Sequence, residues 1–131
     1  MNYSFEVVEE AIRASWSRET CNPLLQACWG ERCKAQGQCL VTAIVIQNHL
    51  EGDILFCRRL GHYWNNLPDG REVDLTREQF HSRRTKERMK GVKVARGSLL
   101  FGVEATQCKI GERMNILQSK VQLYLQEHYE D

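Results

Sequence analysis

The apolar segment at residues 38–50 constrains the fold more strongly than any other part of this sequence. A helix over this segment has almost no polar face, so it must be buried on all sides. The β-branched residues also suit a strand, but Ala43 and a length near twelve residues favour a helix. We therefore predict a central helix that ends at Glu51-Gly52-Asp53. Its buried positions are Leu40, Val41, Ala43, Ile44, Val45 and Ile46.

Amphipathic patterns predict one helix near each end of the chain. Ser4 can cap the first helix, whose apolar residues recur at three- and four-residue steps up to Trp16. Residues 21–37 contain several turn-forming residues and are predicted to form an irregular loop. The final helix is predicted to begin at Thr106. Its apolar positions are Ile110, Met114, Leu117, Val121, Tyr124 and Leu125.

A β-hairpin is predicted after the central helix. Residues 54–60 and 62–67 favour strands, and residues 71–76 favour a returning strand. Pro68-Asp69-Gly70 between them suits a three-residue hairpin loop, which makes Leu67 and Arg71 the closing pair. In that register His62 faces Thr76 and Asp74 faces Trp64, so these four side chains project to one side of the sheet.

These elements predict an α+β fold, with N-terminal and central helices packed on a small antiparallel sheet and a C-terminal helix. At 131 residues the length indicates a single domain, placed at residues 1–131. The formal net charge of +1 gives no general attraction to nucleic acid or membrane. No apolar run approaches the roughly 18 residues of a membrane-spanning helix. The acidic N-terminus lacks the basic start of a signal peptide, so a cytoplasmic location is expected.

The cysteines need an explanation of their own. In a cytoplasmic protein we expect reduced thiols, most of them small buried hydrophobic residues. Cys21, Cys28 and Cys33 lie close together in the sequence. They include no C-x-x-C pair and have no His nearby, so we predict no metal site and no cofactor. A small metal-binding domain that uses Cys21, Cys28 and Cys33 is the weakest alternative. The full set is Cys21, Cys28, Cys33, Cys39, Cys57 and Cys108.

Cys39 follows Gly37-Gln38 at the predicted start of the central helix. Unpaired backbone N–H groups and the helix dipole favour negative charge there, and therefore favour the thiolate, which is the nucleophilic form. The same N–H groups can bind the oxyanion of a tetrahedral intermediate. A buried structural thiol would occupy the same position equally well, and composition alone does not choose between the two.

His62 and Asp74 are predicted to be diagonal neighbours on adjacent strands, at a spacing that longer side chains can close. Asp74 would then hold the imidazole in one tautomer, as the third member of a nucleophile–base–orienter set does. The alternative is a hydrogen-bonded strand histidine beside a turn-forming aspartate. Neither pattern says whether Cys39 meets His62 in space.

Several segments resemble the bacterial YunG family. The resemblance spans most of the chain, but the family is largely uncharacterised and implies no function. The segments that carry it are Ser15-Trp16-Ser17-Arg18-Glu19-Thr20, Gly37-Gln38-Cys39-Leu40-Val41-Thr42-Ala43, His62-Tyr63-Trp64-Asn65, Pro68-Asp69-Gly70 and Glu72-Val73-Asp74-Leu75-Thr76.

The segments around Cys39, His62 and Asp74 also resemble the transglutaminase-like branch of papain-like enzymes. This resemblance implies a minimal papain-like fold with Cys39 as nucleophile, His62 as base and Asp74 as orienter. The implied function is cysteine-dependent acyl transfer by an amidase, peptidase, deamidase or transglutaminase, with a peptide or amide substrate and no cofactor. In papain-type enzymes a glutamine six residues before the nucleophile helps to bind the oxyanion. The corresponding residue in this sequence is Cys33. Our candidates for an oxyanion donor or a cleft residue are therefore Gln36, Gln38, Trp29 and Trp64.

Residues 81–96 carry seven Lys or Arg against one acidic residue, Glu87. Short blocks of like charge are commonly solvated, and no stacking aromatic residues accompany this block, which disfavours nucleic-acid binding. We expect a solvated loop, with a phosphate or nucleic-acid site or a substrate or partner contact as alternatives. The rival hypothesis for the whole protein is a non-catalytic interaction module that uses the cleft or this loop.

Overall fold

Five helices and a four-stranded antiparallel sheet form the described part of the chain, seen in a computed structural model. The structure describes residues 2–30, 32–79, 90–101 and 103–130, and it confirms the predicted α+β class. The helices are α1 (Phe5–Ser15), α2 (Cys39–Leu50), α3 (Arg96–Leu100), α4 (Val103–Gln107) and α5 (Ile110–Tyr129). The strands are β1 (Asp53–Cys57), β2 (His62–Asn66), β3 (Glu72–Val73) and β4 (Val92–Val94).

Helix α2 lies at the centre of the fold, as its apolar sequence predicted, and residues 41–46 are all buried. Val41 and Val45 pack into an apolar cluster with α1 and α5. Ala43 and Ile44 belong to a second cluster, which includes Ile54 of β1. Burial of an apolar side chain of this size contributes roughly 1.5–3 kcal/mol, so the two clusters together fix the position of α2.

The two terminal helices pack against each other and on α2. Ser4 caps α1 as predicted, because its Oγ accepts a hydrogen bond from the Val7 N–H at 3.3 Å. The predicted start of the final helix at Thr106 is wrong. Lys109 has a left-handed backbone with φ of 55°, which no α-helix accommodates, so α4 and α5 are separate helices.

The sheet has the strand order β3-β2-β1-β4, and β2 and β3 form the predicted hairpin. Asn65 pairs with Val73, and the Leu67 N–H donates to the Arg71 carbonyl at 2.8 Å, which confirms the predicted register. The returning strand is shorter than predicted and ends at Val73. It ends there because the Asp74 side chain, and not a strand carbonyl, accepts the N–H of Thr76.

The loop before α2 contains two short 3₁₀ helices, Arg18–Thr20 and Pro23–Cys28. All six cysteines are free thiols, but only Cys21 and Cys57 are buried, so the prediction that most of them are buried is wrong. Over the described ranges, no group of three or more His, Cys, Asp or Glu side chains is arranged to hold a metal ion.

Part of the basic segment at residues 81–96 belongs to the sheet. Lys93 lies in β4 and forms an ion pair with Asp53 at 3.2 Å, so the solvated-loop prediction is wrong at this strand. Residues 81–89 lie outside the described residues. None of the helices that the structure describes combines the length and the apolar character needed to cross a bilayer.

Gly52 offers a test of the link between α2 and β1. Its φ is +82°, and a Cβ at this position would overlap the carbonyl oxygen of Asn66. We expect Gly52→Ala to lower the free energy of unfolding by about 3 kcal/mol, from the positive φ and the steric overlap together. Urea denaturation followed by circular dichroism measures this loss.

Gly70→Ala is the matched control, because Gly70 has a similar φ of +92° but no atom within 4 Å of the point where a Cβ would lie. We expect it to cost about 1 kcal/mol from the backbone alone. Equal losses in the two variants would mean that crowding at Gly52 contributes nothing.

Candidate active site

Cys39 is the first residue of α2 and is partly exposed. Gln38, which precedes it, makes no side-chain hydrogen bond that caps the helix. The N–H groups of the first turn of an α-helix have no partner within the helix, so hydrogen-bond donors are concentrated at the end of α2 where Cys39 lies. The chain enters this turn through Gly37, whose φ is +72° and where a Cβ would lie 2.5 Å from the Cys21 Sγ.

His62 is the first residue of β2 and is completely buried. Its Nε2 lies 2.8 Å from Oδ2 of Asp74. The other carboxylate oxygen of Asp74, Oδ1, accepts hydrogen bonds from the N–H and the hydroxyl of Thr76 at 3.3 and 3.4 Å. Asp74 therefore forms the predicted turn with one carboxylate oxygen and contacts the imidazole with the other, and its role as an orienting residue stays a prediction.

The thiol of Cys39 also interacts with His62, because hydrogen bonding and charge at Cys39 both raise the pKa of the imidazole. The two residues begin β2 and α2 respectively, so the contact joins the ends of two elements that pack together. Asp74 is thus hydrogen-bonded to His62, and Cys39 lies close enough to His62 to influence the titration of its imidazole.

The electrostatics of this series favour a protonated imidazole. Burial by itself lowers the pKa of His62, but the hydrogen bond and charge of Asp74 and those of Cys39 outweigh burial and raise this pKa to about 9. An imidazolium at neutral pH stabilises a thiolate beside it. The arrangement therefore places a cationic imidazolium beside the partly exposed thiol of Cys39.

Trp64 lies next to His62 and restricts its movement. The two rings are stacked with centroids 5.6 Å apart and an interplanar angle of 23°. The indole N–H donates to Oε1 of Glu72 at 2.9 Å, and the ring is buried. Trp64 therefore restricts the movement of the imidazole by stacking against it.

A cavity of 320 Å³ opens beside Cys39. This volume is near the lower limit for small-molecule sites. Cys39 lies in its wall, whereas His62 is not among the residues that line it. The lining residues are Asn22, Leu25, Gly37, Cys39, Leu40, Leu60, Gly61, Tyr63, Ser98, Leu99, Ala105, Cys108, Ile110 and Arg113.

The four proposed oxyanion or cleft residues lie outside this lining. Gln38 is completely buried, and its amide donates to the Ser17 carbonyl at 2.9 Å and accepts from the Thr20 hydroxyl at 2.7 Å. The indole N–H of Trp29 donates to the Lys34 carbonyl at 3.0 Å. These groups stabilise the loop before α2. Gln36 lies in the same loop and is partly buried, and Trp64 packs on His62.

Sequence reasoning missed Arg113, the one charged side chain in the cavity lining over the described residues. It is buried, with 4% of its surface exposed. A signal was present, because Arg113 lies three residues after Ile110 and four before Leu117, within the apolar face of α5. Burial lowers the pKa of its guanidinium, whereas the nearby thiol groups of Cys21, Cys108 and Cys39 raise it.

Comparison with known proteins identifies the family. A family model described as "YunG protein" matches residues 4–126. A curated relative, "Uncharacterized protein YunG" of Bacillus subtilis (strain 168), is 38% identical over 79 residues, which cover 59% of this chain and 64% of the relative, just under two thirds of its length. No solved structure matches the chain, and the transglutaminase-like resemblance gains no support here. Because the family model covers nearly the whole chain, the protein belongs to the YunG family.

Proposed function

We propose that this protein is a cysteine-dependent enzyme that transfers acyl groups from amides. Cys39 is the nucleophile, His62 the general acid and base, and Asp74 the group that orients His62. The observation that carries the proposal is the buried His62 imidazole, which is hydrogen-bonded to the Asp74 carboxylate at 2.8 Å and whose pKa is raised by hydrogen bonding and charge at Cys39. A nucleophile, a base and an orienting carboxylate in series are the requirement for this chemistry.

The first half of the reaction forms a thioester. The Cys39 thiolate attacks the carbonyl carbon of the amide, and N–H groups of the first turn of α2 stabilise the resulting oxyanion. The C–N bond then breaks, and the His62 imidazolium donates its proton to the leaving amine. The acyl group remains bound to the Cys39 sulfur.

The second half of the reaction releases the acyl group. Water or a second amine attacks the thioester, and neutral His62 accepts the proton of the attacking molecule. The C–S bond breaks, so that a carboxylic acid or a new amide leaves and the thiolate–imidazolium pair is restored. The identity of the attacking molecule decides between hydrolysis and transfer.

The relation to papain-like and transglutaminase-like enzymes belongs to this proposal. It is supported by the chain order of a helix-start cysteine, a strand histidine and an aspartate after the next strand. The oxyanion donors differ from papain, because Gln38 and Trp29 are engaged in the loop and backbone N–H groups take that role. A cytoplasmic, reducing location is also proposed, since the mechanism needs Cys39 as a free thiolate.

Alkylation by iodoacetamide tests the nucleophile. We expect Cys39 to react at pH 7 at least about ten times faster than the exposed Cys28, because an ordinary thiol is only a few per cent ionised at that pH. His62→Gln should reduce the Cys39 rate to about that of Cys28. Peptide mass spectrometry after timed labelling gives both rates in one sample.

His49→Gln is the matched control for the alkylation experiment. His49 lies in α2 and is hydrogen-bonded to Gln118 at 2.8 Å, away from Cys39, so this variant should keep the fast rate. A Cys39 that reacts at the rate of Cys28 in the wild type would contradict the mechanism and favour a non-catalytic interaction module.

The titration of His62 tests the orienting carboxylate. Nuclear magnetic resonance should give a pKa of about 9 in the wild type and a lower pKa in Asp74→Asn. Because the folded-state pKa is above the ordinary value of 6.5, protonation of His62 stabilises the folded state fully below pH ~6.5, and this contribution is lost as pH rises through about 9.

The same linkage predicts a pH dependence of stability. The free energy of unfolding should fall by at most about 3 kcal/mol between pH 6.5 and 9.5, and the fall should be smaller in Asp74→Asn. Urea denaturation at several pH values measures it. An identical fall in His62→Gln would assign the effect to other groups.

Hydroxylamine provides an assay that does not require knowledge of the natural acceptor. As a small amine nucleophile it should convert the Cys39 thioester into a hydroxamate, which is detected by mass spectrometry across a panel of small amides. Any amide that is turned over by the wild type should give no hydroxamate with Cys39→Ala. Full turnover by Cys39→Ala would exclude Cys39 as the nucleophile.

A further inference from the structure

Arg113 has a set of contacts that ties three segments together. Its Nε donates to the Thr20 carbonyl, Nη1 to the Cys108 carbonyl and Nη2 to the Gly37 carbonyl, each at 3.1 Å. A guanidinium has five N–H donors. Two of them, one on each terminal nitrogen, therefore have no hydrogen-bond partner over the residues that the structure describes.

The charge of Arg113 has no carboxylate partner within those residues. The ion pairs found there involve other cations, and the ionisable groups that interact with Arg113 are thiols of Cys21, Cys39 and Cys108. Three carbonyl dipoles satisfy hydrogen bonds but do not neutralise a full positive charge. A buried charge without a carboxylate counter-ion is costly, so an anion bound in the cavity would stabilise this guanidinium.

Arg113 and Cys39 lie in the wall of the same cavity. Gly37, the residue to which Arg113 binds through Nη2, is two positions before Cys39. An anion at the guanidinium would therefore lie in the 320 Å³ cavity close to the thiol. A site of that volume holds a small molecule or the end of a chain.

We propose that this cavity binds a carboxylate through Arg113, and that the substrate is a small amide with a carboxylate close to its scissile bond, such as an N-acyl amino acid or the C-terminal end of a peptide. The anion site follows from Arg113 and the cavity alone. The assignment of the bound amide as a substrate rests on the proposed function of Cys39.

A carboxylate fits these groups better than a phosphate. The two remaining N–H groups lie on the two terminal nitrogens, which match the two oxygens of a carboxylate. Among the described lining residues, Arg113 is the one cation, and a single positive charge balances a carboxylate but not a phosphate dianion. The rest of the lining is largely apolar, with Tyr63, Leu99 and Ile110 as examples.

Protection of Cys39 against iodoacetamide tests the anion site in the wild-type protein. N-acetylglycine is the carboxylate probe, and N-acetylglycinamide is its uncharged counterpart of nearly the same size. We expect N-acetylglycine to slow Cys39 labelling saturably, with half-protection at a concentration at least about ten times lower than for the amide. Labelling of the exposed Cys28 in the same sample should be unaffected.

Other cations near the thiol need their own controls. His62→Gln should keep the preference for N-acetylglycine over its amide. Loss of this preference in the variant would assign anion binding to His62 and overturn the proposal. Lys109→Gln removes an exposed lysine next to Cys108 and should also keep the preference. Equal protection by both probes, or stronger protection by inorganic phosphate, would likewise overturn the carboxylate assignment.

Calorimetry with Cys39→Ala separates this inference from the proposed function. The variant retains Arg113 but has no nucleophile, and it should bind N-acetylglycine at least about ten times more tightly than N-acetylglycinamide. Binding by this variant together with an unreactive wild-type Cys39 would keep the anion site and reject the enzyme. A reactive Cys39 without carboxylate binding would keep the enzyme and reject the anion site.

Discussion

The complete burial of α2 over residues 41–46 is the constraint on which the rest of the structure depends. A helix with no polar face needs apolar partners around its whole circumference, and the chain provides them from α1 and α5 in one cluster and from β1 and α5 in another. Once α2 is fixed in this way, its first residue is fixed as well. Cys39 therefore has a defined position that does not depend on contacts of its own side chain.

Much of the local structure could be predicted because the responsible interactions are local. The cap of α1 at Ser4, the helix at α2 and the register of the hairpin at Pro68-Asp69-Gly70 each follow from residues a few positions apart. The break at Lys109 could not be predicted in this way. Lysine has no preference for a left-handed backbone, so the residue at the break gives no local signal.

The candidate site was accessible to sequence analysis only in part. The diagonal relation of His62 and Asp74 follows from strand alternation, and the two residues do form a hydrogen bond. The meeting of Cys39 with His62 is a tertiary contact and has no periodic signal. Arg113 was overlooked because a charged residue on an apolar helix face is ordinarily read as lying at its edge, whereas tertiary hydrogen bonds with three carbonyls draw it inside.

The hydrogen bonds of Arg113 also have a consequence for how the molecule folds. They join residues 93 and 76 positions apart in the chain, at Thr20 and Gly37. Contacts of such long sequence separation form only after large loops have closed, which costs chain entropy and slows folding. We therefore expect the cavity wall to form late in folding, after the local helices and the hairpin, because its hydrogen bonds need both halves of the chain.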